Sequence, residues 1–245
     1  MIKKTNVCSI MQPTYLPWLG YFDLIAQSND FIFLDDVKFN KSSYHHHNKI
    51  LGPNGEIVLS VPTFANKGRM DTLINEVKID YSKKWQKKHL ESIKQSYSKA
   101  PYFCEVYPDI ESIIESKIYN LCELNTRLIK LFASKLSLDT NFYMASKIEN
   151  SAHNKTQRLV DYCKILRCDN YYSPSGSSYL NITENKYMFE SAKITVYMQK
   201  FKLTPYLQKS QSFTPYMSVL DALMNSGYDE TRDIIEKSSH YEELK

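Results

Sequence analysis

Apolar and polar positions follow one another along this chain in short blocks, and the first blocks set the pattern. Residues 7–11 (VCSIM) form an apolar run, and 12–20 (QPTYLPWLG) a loop punctuated by two prolines and a glycine. Residues 21–26 are amphipathic, and a second apolar run, 31–34 (FIFL), ends on Asp35 and Asp36. The order reads strand, loop, helix, strand, the unit from which parallel sheets are built. Ligands of such sheets sit beyond the carboxyl ends of the strands. The loop from Gln12 to Tyr21 and the stretch from Asp35 to Lys38 would both lie at that edge.

Further on, the turn signal at 51–55 (LGPNG) predicts a hairpin between 44–50 and 56–62, and 65–70 reads as a basic loop. Residues 74–79 (INEVKI) alternate like a strand. Trp85, Leu90, Ile93 and Tyr97 fall at helical spacing in a segment ended by Ala100-Pro101. Pro108-Asp109 marks the start of a second helix, and 121–136 forms a third. Strands are expected at 141–145, 170–173 and 194–198, the last of them the final clear strand. Helices are expected at 156–166, with Thr156 near its N-cap, and at 216–225, closed by Gly227 as the residue after the helix. This is an α/β pattern: a mainly parallel or mixed sheet flanked by helices, one domain over 1–245, with a helical insertion at 82–137.

Composition adds limits. Apolar content of 42% and charged content of 24% are those of a globular chain with a sizeable core. Nineteen tyrosines favour pockets with amphipathic walls. A net charge of +4 suits an anionic small molecule and is too small for a nucleic-acid polymer as partner. No run of 18 apolar residues occurs, and the first ten residues lack a signal-peptide core, so no membrane insertion and a cytoplasmic location are expected. Five scattered cysteines indicate neither a disulfide framework nor a zinc site.

Several stretches can carry chemistry. In the 12–20 loop, Gln12 offers an amide donor and acceptor and Trp18 a stacking wall; the alternative is a connection whose tryptophan plugs the core. One of Asp35 and Asp36 could orient a substrate or hold Mg²⁺, or merely cap the next turn. His45, His46 and His47 alternate in direction and cannot share one metal, so no metal site is expected there. A single histidine acting as acid or base fits better, and His89 is a further candidate whose spacing suits a surface residue equally. Residues 173–179 (SPSGSSY) are small enough for backbone amides to cradle an anion, although the Walker spacing and the G-x-S-x-G elbow are both absent. Ser218, Asp221 and Asn225 make a polar stripe on the last helix, lining a site or facing solvent.

Taken together the motifs resemble the WbqC-like family of bacterial O-antigen and surface-polysaccharide clusters. The matching residues are Gln12-Pro13, Tyr15-Leu16-Pro17-Trp18, Gly20-Tyr21-Phe22, Asp30, Asp35-Asp36-Val37 and Val61-Pro62. They continue through Trp85 and His89, Tyr97, Ala100-Pro101-Tyr102-Phe103, Ser175-Gly176, Tyr179-Leu180, Tyr206, Gln208, Ser218, Asp221, Asn225 and Gly227. The chain departs from the family in having Lys38 where glutamine is frequent, and His46-His47-Asn48 where Asn-Arg-Asn is usual.

The resemblance implies a nucleotide-linked amino sugar as partner and acyl or aminoacyl (for instance glycyl) transfer to its amine. It casts Asp35, Asp36 or His47 as base and Gln12 as oxyanion donor. Trp18, Gly20, Tyr21, Lys38, Asn48, Ser175, Gly176, Ser177, Tyr179, Gln208, Ser218 and Asp221 are cast as substrate contacts. The donor would be an acyl-CoA or an activated amino acid. Two alternatives stand beside it. One is an ATP- and Mg-dependent amide ligase of nucleotidyltransferase-like fold, whose HxGH signature is absent. The other is a non-catalytic sugar-nucleotide-binding protein. The sequence leaves a homodimer as open as a monomer.

Overall fold

The first strand, β1 (Val7–Met11), lies at the centre of the sheet and is followed by α1 (Leu19–Ala26) and β2 (Asp30–Phe33), which pairs parallel to it with Cys8 opposite Asp30 and Met11 opposite Phe33. The computed structural model describes residues 6–64, 71–209 and 212–245; the expected basic loop at 65–70 falls outside them. After the hairpin β3 (His47–Gly52) and β4 (Gly55–Ser60) come the short antiparallel pair β5 (Thr63–Phe64) and β6 (Lys78–Ile79). Three helices follow in succession, α2 (Trp85–Tyr97), α3 (Phe103–Glu115) and α4 (Leu121–Lys135). The chain then returns to the sheet as β7 (Asn141–Met144), parallel to β2. It crosses through α5 (Lys155–Ile165) to β8 (Asn170–Ser173) on the other side of β1, and through α6 (Thr183–Ser191) to β9 (Thr195–Gln199). Finally α7 (Val219–Ser238) leads to an antiparallel edge strand, β10 (Tyr241–Glu243).

The sheet order is therefore β10-β9-β8-β1-β2-β7. Counting its strands along the chain gives 6-5-4-1-2-3, the doubly wound order of nucleotide-binding folds. The alternation of side chains divides the core. Phe31 and Phe33 point to the face covered by α1, α2, α3, α4 and α7, whereas Cys8, Ile10 and Ile32 point to the face covered by α5 and α6. Both faces are thus sealed, as parallel strands require. Among the described residues no helix is long and apolar enough to cross a membrane.

Three expectations are corrected and one, the cap of α5, is refined. Residues 74–79 are not a strand: Ile74–Glu76 makes a 3₁₀ turn in which the Glu76 carboxylate accepts from the Leu73 amide, and only Lys78 and Ile79 pair. Pro108 lies inside α3 rather than at its start, because Tyr102 already begins the turn by accepting from the amides of Glu105 and Val106. The side chain that caps α5 is Asn154, whose Oδ1 accepts from Thr156 and Gln157, so Thr156 sits inside the helix. Gly227 does not end the last helix. It breaks it with φ 73° and ψ −177°, and the helix resumes to Ser238.

Candidate functional site

Strand order reverses between β1 and β8, since the chain leaves β1 toward β2 and later returns on its other side. At that point, outside the carboxyl ends of both strands, lies a cleft of about 670 Å³. A switch point is where a doubly wound sheet leaves space for a ligand, because the two loops diverge to opposite faces. Gln12 and Trp18 from the loop after β1, with Gly20 and Tyr21 from α1, form one wall; Ser175, Gly176, Ser177 and Tyr179 from the loop after β8 form another. Lys38, His153, Lys155 and Arg158 close the third side. Among the described residues that line it there is no carboxylate.

The 12–18 loop is held rigidly from behind. Leu16, fully buried, is forced to φ 44°, a left-handed conformation costly for a side chain with a Cβ. Asn48 fixes it by donating Nδ2 to the carbonyls of Tyr15 (3.3 Å) and Leu16 (2.7 Å), and Asn125 donates to Pro13 (3.1 Å) and His45 (2.7 Å). The Tyr21 hydroxyl donates to the Gln12 carbonyl at 3.0 Å, and the Val219 amide to Pro17 at 2.8 Å. The Tyr15 hydroxyl meets His89 Nδ1 at 2.9 Å. His89 Nε2 faces the Ser60 carbonyl at 3.2 Å, so that nitrogen carries the proton and Nδ1 accepts from the tyrosine. Burial pushes the His89 pKa down to about 4, which keeps the ring neutral in this bridge.

Trp18 stands edge-on to Phe201 (5.3 Å) and Tyr216 (5.5 Å). Its indole lies over Gly20 so closely that a Cβ there would sit 2.3 Å from Trp18 Cη2. Gly20 is thus the residue that lets the indole form the wall. Gly20→Ala should displace the indole at a cost of about 1–3 kcal/mol. In a Trp85→Phe background, acrylamide quenching should report Trp18 as more accessible in this variant.

On the basic side, Lys155 Nζ rests 3.7 Å from the centroid of the Tyr179 ring. Arg158 pairs with Asp36, and its Nη2 and Nε also donate to the Tyr162 hydroxyl at 2.8 and 3.1 Å. Lys38 pairs with Asp71 at 3.1 Å in a largely exposed contact.

Of the residues expected at the site, the cleft brings together Gln12, Trp18, Gly20, Tyr21, Lys38, Ser175, Gly176, Ser177 and Tyr179. The others lie elsewhere. Asp35 is 1% exposed; its oxygens accept from the Ser146 amide (2.9 Å) and hydroxyl (2.6 Å) and from Asn75 (3.3 Å), so it ties three loops together. Asp36 reaches the site only through Arg158. Asn48 supports the loop from behind, and His47, on β3, packs on Tyr44 and His46 with its pKa lowered by burial and then by Lys49. Ser218 caps α7 by accepting from the Leu220 amide. Gln208 and Asp221 belong to a second, buried network: Asp221 accepts from Tyr97 (2.8 Å), Tyr206 (2.8 Å) and Gln208 (2.6 Å), beside a separate cavity of about 480 Å³.

Sequence reasoning missed His153, Lys155 and Arg158. Their signal was the step from a polar loop to a helix: with Asn154 as cap, the first turn of α5 starts the crossover from β7 to β8 and must open onto the same edge as the loop after β1.

A protein of Mycobacterium tuberculosis (strain ATCC 25618 / H37Rv), the uncharacterized protein Rv1507c, is 33% identical over 222 residues, 89% of this chain and 93% of that one. No solved structure matches. The family model that matches spans residues 12–233, from the first cleft loop into the last helix, and on that ground the chain belongs to the WbqC-like protein family.

Proposed function

We propose that the cleft binds a nucleotide-linked amino sugar and that the protein transfers an acyl or aminoacyl group to the sugar amine, in the surface-polysaccharide setting that the family resemblance implies. The observation that carries this reading is the basic cleft at the β1/β8 switch point, with an aromatic wall and no lining carboxylate among the described residues. Phosphates would take the basic side, and Trp18 would stack on the nucleobase or the sugar. In the transfer the amine attacks the acyl carbonyl, gives up its proton to a base, and the donor's carrier departs. His153 and Gln12 both line the cleft; in this reading the imidazole would accept that proton and the Gln12 amide would donate to the oxyanion. The buried, fully engaged Asp35 supports the loops instead.

The doubly wound strand order favours one second reading, an ATP-dependent amide ligase, because that order commonly seats nucleotides. One experiment separates the two: nucleotide amino sugars are incubated with acyl-CoA or amino-acid donors, with and without ATP, and products are read by mass spectrometry. An amide product without ATP is the expected result. A product that requires ATP and releases pyrophosphate would establish the ligase. Binding without turnover under any donor would make this a binding protein, and no thermal shift with any nucleotide sugar would overturn the assignment of the cleft.

A further inference from the structure

The cations around the cleft are not equivalent. Lys38 is neutralised by Asp71 and Arg158 by Asp36, but Lys155 has no carboxylate partner among the described residues. Its ammonium is instead held over the ring of Tyr179, at the end of the loop that carries Ser175 and Gly176. The backbone there is open: a Cβ added at Gly176 would meet nothing within 4 Å. Of the amides in the first turn of α5, those of Thr156 and Gln157 are already occupied by the Asn154 side chain. An anion at the start of α5 therefore draws chiefly on side chains.

Lys155 and Arg158 stand three residues apart on one helix face, with Cβ atoms about 5–6 Å apart by helix geometry. That separation suits two adjacent phosphates better than one. The Asp36–Arg158 pair is also imperfect, because Asp36 Oδ1 is buried without a partner among the described residues.

We infer that the cleft selects a diphosphate over a monophosphate, with Lys155 binding one phosphate and Arg158, released from Asp36, binding the other. The inference rests on the reading of the cleft as a nucleotide-sugar site and narrows the ligand to the nucleoside-diphosphate class. Partial burial already holds the Lys155 pKa below its ordinary value, and an anion beside it would restore the charge. Asp36 then acts as a displaceable counterion: it occupies Arg158 in the empty site and yields it to the second phosphate.

The test uses inorganic pyrophosphate and inorganic phosphate as probes, measured by calorimetry at one fixed low ionic strength. The wild-type protein should bind pyrophosphate about tenfold more tightly than phosphate, the scale of one charge-assisted contact. Lys155→Met, which keeps the stem against Tyr179, should reduce that preference to about twofold or less, and Lys155→Arg should retain it. Asp36→Asn should widen it. A wild-type protein without preference overturns the inference, as does a Lys155→Met variant that melts like wild type and keeps the full preference. If the preference depends on Lys155 but no nucleotide sugar binds, the diphosphate seat stands and the nucleotide-sugar reading falls. If nucleotide sugars bind and the preference ignores Lys155, the reverse holds.

Discussion

Asp221→Ala is expected to lower the free energy of unfolding by about 3–5 kcal/mol, read as a lower urea midpoint with an unchanged slope. Asp221 is wholly buried on the first turn of α7, and three uncharged donors converge on it. Tyr97 comes from the end of α2, and Tyr206 and Gln208 from the irregular segment after β9, so one carboxylate joins a helix, a hairpin neighbour and a long connection. The hairpin enters because the Leu51 amide donates to the Tyr97 hydroxyl at 3.0 Å. Alanine would take the acceptor from the buried Tyr97 and Tyr206 hydroxyls and leave Gln208 Nε2 only the Thr214 carbonyl at 3.0 Å and the Tyr206 hydroxyl at 3.5 Å, each lost partner costing about 1–3 kcal/mol before any relaxation. Asp221→Asn keeps one accepting oxygen and should cost about 1–2 kcal/mol. Burial, only partly opposed by the three hydrogen bonds, raises the Asp221 pKa above the ordinary carboxylate value. A raised folded pKa means that the folded state binds the proton more tightly than the unfolded chain. The contribution of this group is therefore largest below the ordinary carboxylate pKa and declines as pH rises through the folded value. The gap in stability between wild type and Asp221→Asn should accordingly widen on mild acidification within that window.

Residues 7–37 are readable because every level agrees there. The apolar runs carry strands, the proline- and glycine-marked loop is the cleft wall, and the Asp35-Asp36 pair follows β2 just beyond its carboxyl end. Elements without a strong apolar signal were missed. α6 buries only Phe189, and β10 is three residues of edge strand whose pairing with β9 supplies its order. INEVKI reads as a strand from its alternating end, Val77-Lys78-Ile79, yet its first half turns, because Asn75 and Glu76 bind backbone and side chains nearby rather than a neighbouring strand. Tertiary contacts outweighed a local pattern.

The site divides in the same manner. Residues on loops that follow strands were found, since turn chemistry marks such loops locally. Lys155 and Arg158 were not, since a basic pair at the start of a helix has no distinctive spacing until the crossover from β7 to β8 gives it a place. Conversely, Asp35, Asn48 and Asp221 carry residue types that chemistry uses; in the structure Asp35 and Asn48 hold loops in place and Asp221 joins the side chains of Tyr97, Tyr206 and Gln208. A polar side chain that binds substrate and one that ties down a backbone look alike in sequence, because both answer the requirement that buried polar groups be paired.

Gly227→Ala is the other substitution with a large expected effect, about 2–3 kcal/mol of lost stability. At φ 73° and ψ −177° the residue occupies a region that is essentially open to glycine alone. The break has a structural use. In a continuous helix the Met224 carbonyl would accept from the Tyr228 amide; here it accepts from the Tyr102 amide at 3.1 Å, which docks the start of α3 against α7. The ring of Tyr102 covers the glycine, and a Cβ would meet its Cδ1 and Cε1 at 2.7 Å. Just beyond the break, Tyr228 donates its hydroxyl to Asp109 of α3 at 2.7 Å, and Lys135 of α4 pairs with the same carboxylate at 2.9 Å. Alanine would push the chain toward a straight helix and so pull Tyr228 away from Asp109 and the Tyr102 amide away from Met224. Urea unfolding should show the loss. Hydrogen exchange should show it first at the Tyr102 amide, whose protection depends on that carbonyl. Asp109→Asn, which weakens the contact but leaves the backbone alone, should cost about 1 kcal/mol or less. A Gly227→Ala loss no larger than that would place the strain outside residue 227.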